Sequence, residues 1–124
     1  MTAWTSAELA AISGADELRI ASRRADGTLR PYVIIWVVRA GNDLYVRSAH
    51  GSQNPWFRRA VAAGAGRIRA AGLERDVSFT LAAESTGPAI DREYHTKYDR
   101  YGPAIVGAVV GAKAAPVTIR LALA

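Results

Sequence analysis

The chain has 124 residues, half of them apolar, with no cysteine and a net charge of +5. That length suits one domain, residues 1–124, with a core of its own, and the apolar share excludes a disordered chain. Without cysteine there are no disulfides, thiolate metal sites or cysteine nucleophiles. The arginines are dispersed rather than gathered in a block, which suits an anionic small ligand at least as well as nucleic acid.

Met1-Thr2-Ala3-Trp4 lacks a basic region followed by an apolar one, so no signal peptide is expected. No apolar run approaches the length of a membrane span, and the expectation is a soluble cytoplasmic protein. Thr5-Ser6-Ala7-Glu8 has the pattern of a capping box, with Trp4 and Leu9 spaced as a hydrophobic staple. A short helix follows, with Leu9 and Ile12 facing the core and Gly14 able to end it in a left-handed conformation. Glu17 to Arg24 alternates as a strand, and Asp26-Gly27 is a hairpin signal. Tyr32 to Val38 is almost wholly apolar, the pattern of a strand buried on both faces, with Pro31 at its beginning. Gly41-Asn42-Asp43 turns the chain into Leu44–Ser48, whose alternation predicts a half-buried strand.

Asn54 suits an N-cap and Pro55 the first position of a helix that ends near Gly64. The first N–H groups of such a helix have no partner within it, and its dipole favours an anion. Arg47, Ser48, Arg58 and Arg59 flank this helix start, a seat for a phosphate or carboxylate. The plainer alternative is an ordinary capped connection with solvated arginines. Two strands follow, a short one at Gly66–Ala70 and a longer one at Leu73–Leu81. Pro88 opens another helix, on which Ile90, Tyr94, Tyr98 and Tyr101 form a stripe. His95 falls off that stripe and is expected to be exposed, and Glu93–Lys97 is spaced as a solvated charge pair. Residues 105–111 read as either a small helix or a flap, and Val117–Leu123 as a final strand. The result is a mainly β, α+β domain: a six-stranded antiparallel barrel or curled sheet with an N-terminal helix and two to three further short helices.

Several segments in order carry a resemblance: Arg23-Arg24-Ala25-Asp26-Gly27, Arg30-Pro31, the apolar strand, Gly41-Asn42-Asp43-Leu44-Tyr45-Val46, Ser48-Ala49-His50-Gly51 and Asn54-Pro55-Trp56-Phe57. Residues 18–80 resemble the deazaflavin-dependent nitroreductase branch of the FMN-binding split-barrel superfamily. The whole chain is more similar to a small bacterial family of unknown function within it, marked by Trp4, Asp16-Glu17-Leu18 and Tyr94…Lys97-Tyr98…Arg100-Tyr101. The resemblance implies a split barrel that binds a deazaflavin coenzyme or FMN and passes a hydride to a small organic substrate. It also implies a homodimer with the cofactor near the interface. Carried over by motif, Arg23, Arg24 and Arg30 would hold the phosphate and acidic tail. Ser48, Gly51, Asn54, Pro55 and Trp56, with Arg47 beside them, would complete the phosphate site.

Candidates for proton transfer are Tyr98, Tyr101 and His50, although tyrosines on an apolar stripe are more often core and a loop histidine is more often solvated. The chain departs from the branch at Ser52 (usually glycine), Asn54 (usually histidine) and Arg58-Arg59 (where an asparagine is usual). Those departures motivate an alternative, a split barrel without a redox cofactor that binds a small molecule or uses the cavity for non-redox chemistry. No metal spacing or nucleic-acid motif is present.

Overall fold

The computed structural model describes residues 3–49 and 51–124. Its seven strands are β1 (Leu18–Ser22), β2 (Val33–Ile35), β3 (Val38–Ala40), β4 (Asp43–Arg47), β5 (Ala65–Ala70), β6 (Leu73–Leu81) and β7 (Thr118–Leu123). They form one antiparallel sheet in the order β2-β1-β5-β6-β7-β4-β3. The helices are α1 (Ser6–Gly14), α2 (Pro55–Ala63), α3 (Gly87–Tyr98) and the single turn α4 (Pro103–Val106). None is long and apolar enough to cross a membrane among the described residues.

The strand count is seven rather than six because the long apolar run does not form one strand. It breaks at Trp36-Val37: β2 pairs with β1, and β3 pairs with β4. These two pieces are the opposite ends of the sheet order, yet only two residues separate them. A residue spans at most about 3.6 Å, so the sheet must curl until its edges approach, which makes it a barrel. The break also overturns the expected burial. Val33 and Ile34 are 39% and 53% exposed, since β2 is an edge strand with nothing outside it.

The opposite happens at β4, expected to be half-buried. Leu44 and Val46 join the barrel interior, built with Leu18, Ile20, Ile68, Val77, Ile119 and Leu121. Tyr45 faces outward, yet it is buried too, in a second cluster with Val38, Ile90, Tyr94 and Tyr98. Helix α3 lies on this outer face, and its stripe is what covers β4. Side chains of this size contribute about 1.5–3 kcal/mol each on full burial, so α3 is held by packing rather than by its exposed charges.

Local signals explain the ends of the elements. The Thr5 hydroxyl accepts from the Glu8 N–H at 3.1 Å and the Thr5 N–H donates to the Glu8 carboxylate at 2.8 Å, so the capping box forms. Trp4 is buried, and its indole N–H donates to the Leu121 carbonyl at 2.9 Å. Gly14 is not left-handed, and α1 ends instead on an extended Ala15. Gly64 does take the left-handed conformation, at φ 68°, and sends its N–H to Ala60. The Asp26-Gly27 hairpin forms as expected, with Gly27 at φ 89° and the Arg24 N–H donating to Thr28. Residues 105–111, for which helix and flap both stood open, form the end of α4 and a further tight helical turn at Gly107–Val109.

Candidate functional site

The chain from β4 to α2 places the expected site residues, but not all of them face solvent. Arg47 is 3% exposed and points beneath α3. Its Nε donates to Thr118 Oγ1 at 2.8 Å, and its Nη1 donates to the Val109 carbonyl at 2.8 Å and to the Asp91 carboxylate. Nη2 reaches the Gly87 carbonyl at 3.4 Å, and the guanidinium lies 5.5 Å from the centre of the Tyr94 ring. Every nitrogen is therefore engaged within the protein, and the guanidinium holds α3 and β7 together instead of standing free for an anion. Ser48 is fully buried, and its hydroxyl donates to the Gly51 carbonyl at 2.6 Å, shaping the loop. His50 lies outside the described residues.

The start of α2 is open. Asn54 occupies the N-cap position but makes no side-chain cap bond, and Pro55 follows at the first helical position. The first intrahelical bond runs from the Arg58 N–H to the Asn54 carbonyl. The N–H groups of Trp56 and Phe57 thus form the uncapped positive end of a nine-residue helix.

Around this end the surface is hollow in three adjoining compartments. An open groove of about 1210 Å³ runs beside Arg23, Arg24, Arg30, Arg58 and Arg59. A smaller compartment of about 310 Å³ shares Arg30, Pro55 and Arg59 with it and adds Tyr32, Asn54 and Trp56. A third, of about 590 Å³, shares Asn54, Trp56 and Val33 with the second. Its lining includes Ile34, Trp36 and Ile105, together with Arg47. One continuous groove therefore runs from a cationic end, past the start of α2, to an apolar and aromatic cleft.

Among the described residues seven arginines pair with carboxylates: Arg23, Arg47, Arg67, Arg69, Arg75, Arg100 and Arg120. Among the described residues Arg24, Arg30, Arg58 and Arg59 have no carboxylate partner, and all four line the groove. Arg23 lines it too, but its Nη2 is bound to Asp76 at 3.0 Å and its Nη1 to the Gly27 carbonyl at 2.9 Å.

Tyr98 and Tyr101 do not line the groove. Tyr98 is fully buried, and its ring stacks on Trp36 at 4.0 Å between centres, tilted by 5°. Its hydroxyl accepts from the Val37 N–H at 3.1 Å and lies 2.7 Å from the Asp16 carbonyl and 3.0 Å from that of Val37. Lys97 Nζ donates to the same Val37 carbonyl at 2.7 Å. The break between β2 and β3 leaves this peptide without ladder partners, and α3 supplies them. Burial pushes the Tyr98 hydroxyl well above the usual tyrosine range and lowers the Lys97 amine to about 8. Tyr101, 42% exposed, donates to the Asp16 carboxylate at 2.5 Å, and Arg100 binds the other oxygen at 2.6 Å. Both hydroxyls are thus bonded within the protein, that of Tyr98 at the strand break and that of Tyr101 at Asp16. The expected Glu93–Lys97 pair gives way to this role of Lys97, and exposed His95 pairs with Asp99 at 2.8 Å.

Asp91, the carboxylate that pairs with Arg47, is a site residue that the sequence reading does not single out. The signal was its place beside Ile90 on the inner face of α3, since an acid on an apolar face implies a buried counter-ion. The walls of the apolar cleft (Val33, Ile34, Trp36, Ile105) come from segments distant in the chain and had no local signature.

This architecture is that of a split β-barrel. Among solved structures the chain is similar to a protein of Listeria innocua provisionally named a pyridoxamine 5′-phosphate oxidase, with TM-score 0.61 and 14% identity over 94% of this chain and 88% of that one. It is similar also to an F420 reductase, with TM-score 0.55 and 18% identity over 93% and 91%. A FAD-binding protein of Mesorhizobium loti gives TM-score 0.57 and 17% identity over 99% and 92%. No curated protein matches in sequence. The chain belongs to the family described as "Uncharacterized protein conserved in bacteria (DUF2255)", which it matches over residues 8–121.

Proposed function

We propose that this protein binds a flavin-type cofactor, a deazaflavin coenzyme or a flavin nucleotide, and works as an oxidoreductase on a small organic substrate. The observation that carries the reading is the groove, cationic at one end and aromatic at the other, with the open start of α2 between them. The residues present fit such a group. Arg30, Arg59 and the N–H groups of Trp56 and Phe57 would hold a phosphate, and Asn54 offers an unused amide at the junction. Trp36 and Trp56, both half-buried, offer ring faces in the cleft. A bound flavin-type ring would supply the hydride chemistry. The chain would bind and orient it and keep water from one of its faces.

The F420 reductase and the FAD-binding protein that share the fold support the cofactor class. Exposed Val33, Ile34 and Ile105 at the mouth of the cleft support a homodimer in which the second copy closes it.

A second reading, a split barrel that binds a small molecule without redox chemistry, is favoured by one fact. Arg47 and Ser48, two of the expected phosphate contacts, are engaged within the protein. Titration with FMN, FAD and an acidic-tailed deazaflavin, followed by tryptophan fluorescence, separates the two. Saturable quenching by one of them, weakened in R30A, supports the first reading. A folded protein that binds none of them supports the second.

A further inference from the structure

We infer that Lys97 is the nucleophile of a second small-molecule site, which takes a small carbonyl compound bearing a carboxylate and holds it as an imine. The site is an open pocket of about 440 Å³, lined by Glu93, Thr96 and Lys97 of α3 together with Arg39 of β3 and Ser13 of α1. It shares no lining residue with the groove or the apolar cleft, so it stands apart from the cofactor reading. Glu93, Thr96 and Lys97 fall at i, i+3 and i+4 and so occupy one face of α3. Arg39 comes from β3, against which α3 packs.

Lys97 is half-buried, and among the described residues no carboxylate pairs with it. Asp16 is engaged by Arg100 at 2.6 Å and Tyr101 at 2.5 Å. Glu93, in the same pocket, makes no hydrogen bond or ion pair among the described residues. The amine has the Val37 carbonyl at 2.7 Å and the Tyr98 ring at 5.0 Å. Both favour the ammonium, as does the Asp16 charge, but burial and the Arg100 charge oppose it. Burial wins, and the amine is lowered to about 8. A neutral amine can still donate one N–H to Val37, and its lone pair is left for a carbonyl carbon. Arg39 supplies the second pole. Its Nε donates to the Gly41 carbonyl at 2.8 Å, and its Nη groups make no hydrogen bond among the described residues. That planar fork suits a carboxylate. The step balances without a redox partner. The Lys97 nitrogen adds to the carbonyl carbon, the oxygen takes up the two protons that the nitrogen gives up, and it leaves as water while the C=N bond forms. Glu93 relays those protons from nitrogen to oxygen.

The chain has two lysines, Lys97 and Lys113, and Lys113 is exposed, so it serves as an internal reference. The full chain is incubated near the Lys97 midpoint of about 8 with glyoxylate or, separately, with acetaldehyde. Cyanoborohydride reduces each imine to a stable amine, and mass spectrometry quantifies the label on each lysine. Glyoxylate should label Lys97 about tenfold faster than Lys113, and acetaldehyde, which lacks the carboxylate, should show little of that preference. R39A should bring the Lys97-to-Lys113 ratio for glyoxylate down to the ratio for acetaldehyde. E93Q should slow labelling of Lys97 by both compounds and leave Lys113 unchanged, and K97R should abolish label in the peptide that carries it. If glyoxylate labels the two lysines at equal rates, if acetaldehyde shows the same preference for Lys97, or if R39A keeps the glyoxylate preference, the site is refuted. Unchanged labelling in E93Q would remove Glu93 from the proton relay.

Discussion

Replacing Arg47 with methionine separates the two roles this residue can have. Methionine keeps most of the stem volume and removes the guanidinium. The loss leaves Thr118 Oγ1 and the Val109 and Gly87 carbonyls without their donor in a buried place, and it strips Asp91 of its counter-charge. Breaking a buried pair from one side costs about 3–5 kcal/mol. The Asp91 side chain is 29% exposed, so water recovers part of that, and the lower end, about 3 kcal/mol, is expected. This is a large share of a typical stability of about 5–15 kcal/mol. For a chain of this length it lowers Tm by roughly 10 °C or more. Urea unfolding followed by tryptophan fluorescence measures it, and the denaturant slope should stay unchanged while the midpoint falls. R47K should recover little, because an ammonium cannot span the same four acceptors. A loss below about 1 kcal/mol, together with a drop in cofactor affinity, would refute the structural role and return Arg47 to the anion site.

Three further outcomes follow from the same geometry. Y98F removes the hydroxyl that serves the Val37 peptide and the Asp16 carbonyl; it should cost about 1–3 kcal/mol in thermal unfolding and leave cofactor affinity unchanged. Lys97 has its amine lowered to about 8 from 10.5 by burial, so between those values the unfolded chain binds more protons and stability should rise with pH. Above about pH 10 the raised tyrosines oppose this, because the folded chain then keeps protons that the unfolded one loses; K97M should flatten the rise in a series of melts. G66A should destabilise by about 2 kcal/mol or more, since a Cβ there would stand 2.0 Å from the Ala21 carbonyl and 2.8 Å from the Phe79 ring; a normal urea midpoint would show that β1 and β5 pack less closely.

Much of the fold was legible in the sequence because its signals are local. The capping box at Thr5, the hairpin at Asp26-Gly27, Gly64 after α2 and the alternation of β7 each depend on a few neighbouring residues. What failed was burial by partners distant in the chain. A wholly apolar run predicts two buried faces, yet Val33 and Ile34 stand at an edge, where an apolar side chain lines a cleft equally well. An alternating run predicts one solvated face, yet α3, forty residues on, covers Tyr45 and Arg47. The same limit governs the site. Asn54, Pro55 and the arginines were legible as a cluster around a helix start. Which arginines were spent on Asp76 and Asp91 depended on contacts across 53 and 44 residues.

The break at Trp36-Val37 links the fold to the site. A continuous strand there would need ladder partners throughout and would bury both faces. Splitting it lets β2 and β3 end the sheet at two different places, and it leaves β2 at an edge where Val33 and Ile34 line the cleft. The unpaired Val37 peptide at the break is then satisfied by Tyr98 and Lys97. Tyr98 also stacks on Trp36, the residue that turns from the break into the cleft. The tyrosine stripe of α3 thus fixes an aromatic wall of the cleft from behind. Tyr98 and Tyr101 both place their rings against Trp36 and so bear on its position in the cleft wall. On the cofactor reading proposed above, loss of the Tyr98 ring in Y98A should therefore weaken binding of the flavin-type ligand where Y98F does not.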